Sequence, residues 1–342
     1  PHVYHGISKG TAMRIAFVSF TQKGAVLAQK LCPQFETTTH TAAQDVPDFS
    51  LHAFAENAFS SADALVFIGA AGIAVRAIAP FVRSKTTDPA VVVMDENAQF
   101  VIPILSGHLG GANALARKLA FACNAVAVIT TATDVNAIFA VDEWAKKQGC
   151  HVLNPQKIKT ISAALLAGKS VRFQTAWHVK GDAPVGIETV SDAGDFCLTI
   201  KEVKSDALLL VPRILVLGIG CRKGTAQQTI ETAFATLLQQ EHLYEAAIYR
   251  VCSIDLKQSE PGILAFCHAH GFPFETFSAA QLQTAQGAFS ASSFVQSVTG
   301  VDNVCERSAV IGSGGQLFCK KNAGNGVTMA LGIKPFCPDW SL

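Results

Sequence analysis

Ala64-Leu65-Val66-Phe67-Ile68-Gly69-Ala70-Ala71-Gly72-Ile73-Ala74-Val75-Arg76 reads as a strand handed directly to a helix. Five apolar residues without alternation suit a strand buried on both faces. The same rhythm surrounds this stretch. Ile15–Phe20, Ala90–Met94 and Ala125–Ile129 are further strand-length runs, and helical stretches at Gly24–Leu31, Leu109–Cys123 and Ala137–Gln148 separate them. Strands alternating with helices imply parallel βαβ units, so residues 13–145 are expected to form a doubly wound, Rossmann-like α/β domain. Residues 1–12 precede the strand-forming Met13-Arg14-Ile15 and read as a tag or loose extension.

Residues 146–212 have a different texture. A helix at Pro155–Leu166 is followed by short strands near Val171–Phe173, Phe196–Ile200 and Leu208–Val211, with Gly and Asp clustered between them. This predicts a smaller middle unit, closed at Pro212-Arg213 because proline cannot donate to a sheet. From Ile214 the first rhythm resumes: a strand to Leu217, helix Thr225–Gln240, strand Ala247–Ser253, helix Gly262–His270 and strand Pro273–Phe277. Helices at Ala279–Ala285 and Ala291–Thr299 and a last strand at Gln316–Cys319 complete it. The fold class is therefore α/β, with a second doubly wound domain over 213–335 joined to the first by the middle unit.

A chain of 342 residues is too long for one ordinary core. With 49% apolar and only 15% charged residues, it is neither disordered nor low in complexity. A net charge of +1 supplies no field toward nucleic acid or anionic membrane, so an anionic ligand must be held by local Arg and Lys. No apolar run approaches the ~18–20 residues of a membrane span. The ten cysteines are scattered without a C-x-x-C pair, which points to reduced thiols and a cytoplasmic location. Whether copies associate into a homo-oligomer is open.

The most informative block is Ile102-Pro103-Ile104-Leu105-Ser106-Gly107-His108-Leu109-Gly110-Gly111-Ala112-Asn113, where a strand should end and a helix begin. Free N–H groups and partial positive charge gather at such a start, and glycines let an anionic group approach. Ser106 and His108 add a hydroxyl and an imidazole, although Ser106 also reads as a plain helix cap and His108 as a loop residue. Arg76 could clamp a carboxylate or simply be a solvated helix arginine. Asp95-Glu96 ends a strand where α/β sites form, yet with Asn97 it also makes a good surface turn. Thr130-Thr131-Ala132-Thr133-Asp134 closes the next strand with hydroxyls and a carboxylate that either orient a ligand or cap a helix.

Gly218-Ile219-Gly220-Cys221-Arg222-Lys223-Gly224-Thr225 follows a strand and opens a helix. Its third glycine is one residue late for the dinucleotide fingerprint, and Lys223 precedes the last glycine where a P-loop lysine would follow it. An anion site with Arg222 and Lys223 remains, and a nucleotide-dependent enzyme using this turn is one alternative. Cys221 and Cys305 read as core thiols. His268 and His270, two apart on a helix, face different ways, and no spacing suggests a metal site.

Taken together, three sets of blocks resemble the cobalt-precorrin-5A hydrolase family (CbiG) of anaerobic cobalamin, or vitamin B12, biosynthesis. They are Gly72–Arg76 with Lys85-x-x-Asp88-Pro89; Leu105–Asn113 with Ile129–Asp134; and Gly218–Thr225 with Ser253-Ile254-Asp255-x-Lys257-x-x-Glu260 and Val304-Cys305-Glu306. The resemblance implies a hydrolase that opens the δ-lactone of a cobalt corrinoid and expels acetaldehyde. The substrate is a macrocycle fringed with carboxylates, the cobalt belongs to it, and no protein cofactor is implied. His108 is then the expected general base or acid, kept neutral by nearby N–H groups, with Glu96 and Asp134 as further acid–base candidates. Gly110 and Gly111 are expected near the oxyanion. Arg76, Lys85 and Arg222 would clamp carboxylates, and Ser106, Gly107, Asn113, Thr131, Gly218, Gly220 and Lys223 would complete the binding surface. A non-catalytic corrinoid-binding protein is the other alternative.

Overall fold

A computed structural model describes residues 13–84 and 87–341; the expected extension at 1–12 and the candidate Lys85 lie outside them. The chain forms two compact units. One comprises the chain up to Lys147 with Pro155–Ser170, the other Gln148–Asn154 with the chain from Val171 onward.

In the first unit the elements are β1 (Arg14–Ser19), α1 (Gln22–Leu31), β2 (Thr37–Ala42), α2 (Leu51–Ser61), β3 (Ala64–Ile68), α3 (Ala71–Ile78), β4 (Ala90–Met94), β5 (Phe100–Leu105), α4 (Ala112–Cys123), β6 (Val126–Ala127), α5 (Ala132–Val135), α6 (Val141–Lys147) and α7 (Ile158–Leu166). One sheet of order β2-β1-β3-β4-β5-β6 carries them. Strands β3 and β4 are buried at every position, as their unbroken apolar runs require. Alternate residues feed two cores. Phe17, Val66, Val92 and Met94 pack with Leu31, Leu115 and Leu119, while Val18, Phe67, Val91 and Val93 pack with Ala55, Ala74 and Ile78. Helices therefore cover both faces, as a doubly wound sheet demands.

The parallel rule breaks at β5. Strands β2, β1, β3 and β4 are parallel, but β5 is antiparallel to β4, and β6 follows the direction of β5. A tight turn causes the reversal. The Asp95 carboxylate accepts from the backbone N–H groups of Asn97 (2.9 Å), Gln99 (2.9 Å) and Phe100 (2.7 Å), and Ala98 takes the left-handed conformation. A hairpin thus stands where a helical crossover is expected.

The second unit holds two further sheets. The first comprises β7 (Cys150–Val152), β8 (Val171–Thr175), β9 (Ile187–Val190), β10 (Phe196–Leu198) and β11 (Leu208–Pro212), ordered β7-β11-β10-β8-β9. The other is built from β12 (Leu215–Cys221), α8 (Gln227–Glu241), β13 (Ile248–Ile254), α9 (Pro261–His270), β14 (Phe274–Phe277), α10 (Ala279–Gln283), α11 (Ser293–Thr299), α12 (Cys305–Ser313), β15 (Gln316–Gly324) and β16 (Val327–Ile333), with strand order β14-β13-β12-β16-β15. Strand β16, not expected from the sequence, runs antiparallel between β12 and β15. None of the ten cysteines is joined to another in a disulfide. No helix among the described residues is long and apolar enough to cross a membrane.

Candidate active site

The loop after β5 is drawn into a compact knot, and its composition explains how. The Ser106 backbone is left-handed, the N–H of Ala112 donates to the Ser106 carbonyl at 3.2 Å and that of Asn113 to the Gly107 carbonyl at 3.0 Å. A side chain on Gly110 would begin 2.3 Å from Ser106 Cβ, and one on Gly107 2.8 Å from Asn113 Oδ1. Gly111 caps α4 at φ 91, a conformation glycine adopts without steric cost. The Ser106 hydroxyl donates to the Asp88 carbonyl (3.0 Å), tying the knot to the start of β4.

His108 emerges from this knot between two carboxylates. Its Nδ1 lies 3.4 Å from Asp142 Oδ1 and its Nε2 2.8 Å from Asp134 Oδ2, with the Thr133 hydroxyl 3.4 Å from Nε2. The ring is 13% exposed. Asp142 at Nδ1 and Asp134 at Nε2 raise its pKa to about 9, against the opposing effect of burial. His108 is therefore an imidazolium at neutral pH. This corrects the expectation of a neutral base: carboxylates, not N–H groups, face the ring, and they favour its charged form.

Asp134 is the hub of the network. Burial alone would raise its pKa, but hydrogen bonds from Thr131, His108 and Arg117 hold it below the usual carboxylate range. Thr131 Oγ1 donates to its Oδ2 at 2.5 Å, Asn113 Nδ2 to the same oxygen at 3.0 Å, and an Arg117 guanidinium nitrogen to Oδ1 at 2.5 Å. Lys146, from α6, donates to the Leu109 carbonyl at 2.7 Å, and burial lowers its pKa. Ligand atoms of His108, Asp134 and Glu143 lie within 4.8 Å of one another, the spacing of a small cation site. Asp134 there already accepts from Thr131, Asn113 and Arg117.

Among the sequence candidates, Ser106, Gly107, His108, Gly110, Gly111, Asn113, Thr131 and Asp134 thus meet at one edge of the sheet. Glu96 does not join them. Because β5 runs backwards, its end lies beside the start of β4, whereas Glu96 follows the end of β4, about 15 Å of extended chain away. There Glu96 accepts from the Thr21 hydroxyl (2.5 Å) ahead of α1. Arg76 is exposed on α3, a helix that starts at that same far edge, where the Gly69 N–H donates to the Met94 carbonyl at 2.9 Å. Arg117, Asp142 and Lys146 were not foreseen. Arg117 had a visible signal, since it lies four residues after Asn113 and shares its helix face. Asp142 and Lys146 had none, because their approach to His108 and Leu109 is tertiary.

In the second unit, Gly218 and Gly220 belong to the body of β12 and not to an open turn. Gly218 is buried, and a Cβ there would fall 1.8 Å from the Cys305 carbonyl oxygen. One on Gly220 would fall 2.7 Å from Thr328 Oγ1. Both are glycines because α12 and β16 press on them, Gly218 from within the core and half-buried Gly220 near the end of β12. The turn itself is shorter. Arg222, Lys223 and Gly224 are exposed, and buried Glu260 accepts from the Gly224 N–H at 2.6 Å and from Lys257 Nζ at 2.8 Å. Cys305 is buried, its pKa pushed up to about 11 by desolvation, as suits a core thiol.

The fold and this network define an α/β protein with a half-buried, carboxylate-gripped histidine suited to proton transfer. Family models described as cobalamin synthesis G N-terminal, cobalamin biosynthesis central region and cobalamin synthesis G C-terminus match residues 53–134, 139–211 and 215–332. Cobalt-precorrin-5A hydrolase of Salmonella typhimurium is 35% identical over 93% of this chain and 97% of its own. The Priestia megaterium protein of the same name is 31% identical over 81% of this chain and 80% of its own. A solved cobalamin biosynthesis protein G homolog from Sulfolobus solfataricus covers 94% of this chain and 97% of its own, at 24% identity and a TM-score of 0.41. The chain belongs to the cobalt-precorrin-5A hydrolase (CbiG) family.

Proposed function

We propose that this protein hydrolyses the δ-lactone of cobalt-precorrin-5A and releases acetaldehyde, leaving cobalt-precorrin-5B. Family membership supports the substrate, and the observation that carries the chemistry is His108 held as an imidazolium between Asp142 and Asp134. Water adds to the lactone carbonyl and the acyl–oxygen bond breaks, leaving a carboxylate and a freed oxygen. That oxygen becomes the aldehyde oxygen when the carbon–carbon bond to the macrocycle breaks, and the bonding electron pair stays with the ring, where a proton must be supplied. An imidazolium with a pKa of about 9 is an acid for that delivery and a donor to the oxyanion before it. Asp134 and Asp142 orient the ring and hold its charge, and the imidazole left after delivery regains its proton from the freed hydroxyl as the aldehyde forms. Arg117 and Lys146 add positive charge at the same edge for a carboxylate-fringed substrate. The test is anaerobic incubation with cobalt-precorrin-5A while acetaldehyde is trapped; pigment that is retained without acetaldehyde would make the protein a binder and sink the reading.

A further inference from the structure

A second concentration of chemistry lies in the second unit, at the end of its sheet where β12 and β13 begin. Trp177, Gln316, Ile333, Lys334, Pro335 and Phe336 line a half-open cavity of about 460 Å³, within the ~300–1,000 Å³ range of small-molecule sites. Its walls are aromatic, with Trp177 and Phe336 meeting edge to face at 5.3 Å. Lys334 stands over the Tyr249 ring at 3.8 Å, and the Arg250 guanidinium lies 4.6 Å from that ring's centre. Arg213 belongs to the same place: the Lys334 N–H donates to the carbonyl of Ile214, its chain neighbour, at 2.9 Å.

Charge there is unbalanced. Arg250 pairs with Glu275 and donates to the Tyr249 hydroxyl at 3.1 Å, while its buried Nε has no partner. Neither Arg213 nor Lys334 has an ion-pair partner among the described residues. Burial lowers the Arg213 pKa. Arg250, through its hydrogen bond to the hydroxyl, together with Lys334 and Arg213, pulls the Tyr249 phenol below its ordinary range. A half-buried cation without a counter-charge is costly unless a ligand supplies one.

An aromatic lining beside uncompensated cations selects an anion with an apolar, aromatic body. We propose that the Trp177–Phe336 cavity, with Lys334, Arg213 and Tyr249, is a subsite for one edge of a planar tetrapyrrole and its carboxylate arms. In naming the ligand, this rests on the proposed function. Its binding test does not depend on turnover.

The probe is uroporphyrin, a flat tetrapyrrole ringed with acetate and propionate groups, titrated into the full chain while tryptophan fluorescence is followed. Binding should weaken as salt rises, and the neutral methyl ester should bind much less tightly. The double variant Lys334→Ala/Arg213→Ala should lose affinity at least about tenfold, Lys334→Arg should retain most of it, and Trp177→Phe should lose most of the quench. Should the double variant misfold by its melting curve, Lys334→Gln alone serves, with a loss of several-fold. Wild-type affinity in a folded Lys334→Ala/Arg213→Ala or Lys334→Gln variant overturns the subsite. If the affinity losses appear while the wild-type protein yields no acetaldehyde, the subsite stands and the hydrolase reading fails. If acetaldehyde is released and the double variant's KM for cobalt-precorrin-5A is unchanged, the subsite fails and the hydrolase reading stands.

Discussion

At the scale of single residues, the proposed chemistry turns on the proton of His108. Replacement by Asn keeps a polar group but cannot titrate, so acetaldehyde release should fall by roughly 10²–10⁴-fold, the usual worth of a positioned acid–base group. The pH dependence follows from the raised pKa. The acid form persists below a folded-state value of about 9, and activity should decline as pH rises through that value. The same proton stabilises the fold: its contribution is complete below the unfolded value near 6.5 and is lost as pH climbs through the folded one. Asp142→Asn removes the first carboxylate that holds the charge, so the alkaline limb should move toward neutral pH. A limb that stays in place would show that Asp142 does not act on His108. The sequence displayed His108 but not its charge state, because a motif shows which atoms are adjacent along the chain and not which carboxylates fold back on them.

Elements decide which residues can work together. The sequence disclosed β3 and β4 at their ends, since five consecutive buried residues leave an unmistakable apolar run. It did not disclose β2, whose Thr37-Thr38-Thr39-His40 is polar, as an edge strand tolerates. Nor did it disclose the direction of β5, which depends on one carboxylate, Asp95, gathering three N–H groups into a reversal. That reversal places His108 and Glu96 at opposite ends of β4. Glu96→Gln should therefore leave acetaldehyde release within about threefold of wild type, and a loss comparable to that of His108→Asn would return Glu96 to the site. Packing gives a second prediction. Gly218→Ala forces a carbon against the Cys305 carbonyl of α12, 1.8 Å away, and should cost about 1–3 kcal/mol in denaturant unfolding. Gly224→Ala meets no atom within 4 Å, and its cost should come only from its left-handed backbone.

For the molecule as a whole, the sequence suggests two doubly wound domains, 13–145 and 213–335, around a smaller middle unit, and the structure carries three sheets in two compact units. What it could not show is that Pro155–Ser170 joins the first compact unit while Gln148–Asn154 joins the second. Such an exchange is settled by which core a helix buries into, as α7 does through Ile158, Ile161 and Leu165, and not by local pattern. The cysteines report on the molecule at this scale because they are spread along both units and form no disulfide. Burial pushes Cys267 and Cys319 up to about 12 and Cys305 to about 11, and raises Cys252 further still. The thiolate is the reactive species, so these groups should be inert at neutral pH while the fold lasts. Cys337 differs, being exposed. A disulfide-exchange reagent added to the native protein under anaerobic, non-reducing conditions should give a fast phase from Cys337 and much slower release from the rest. The Cys337→Ser variant should lack the fast phase. After denaturation all ten should titrate. A shortfall of two thiols would establish a disulfide and overturn the unpaired arrangement. A native fast phase of several thiols would instead show that one of the units opens more readily than its packed sheets imply.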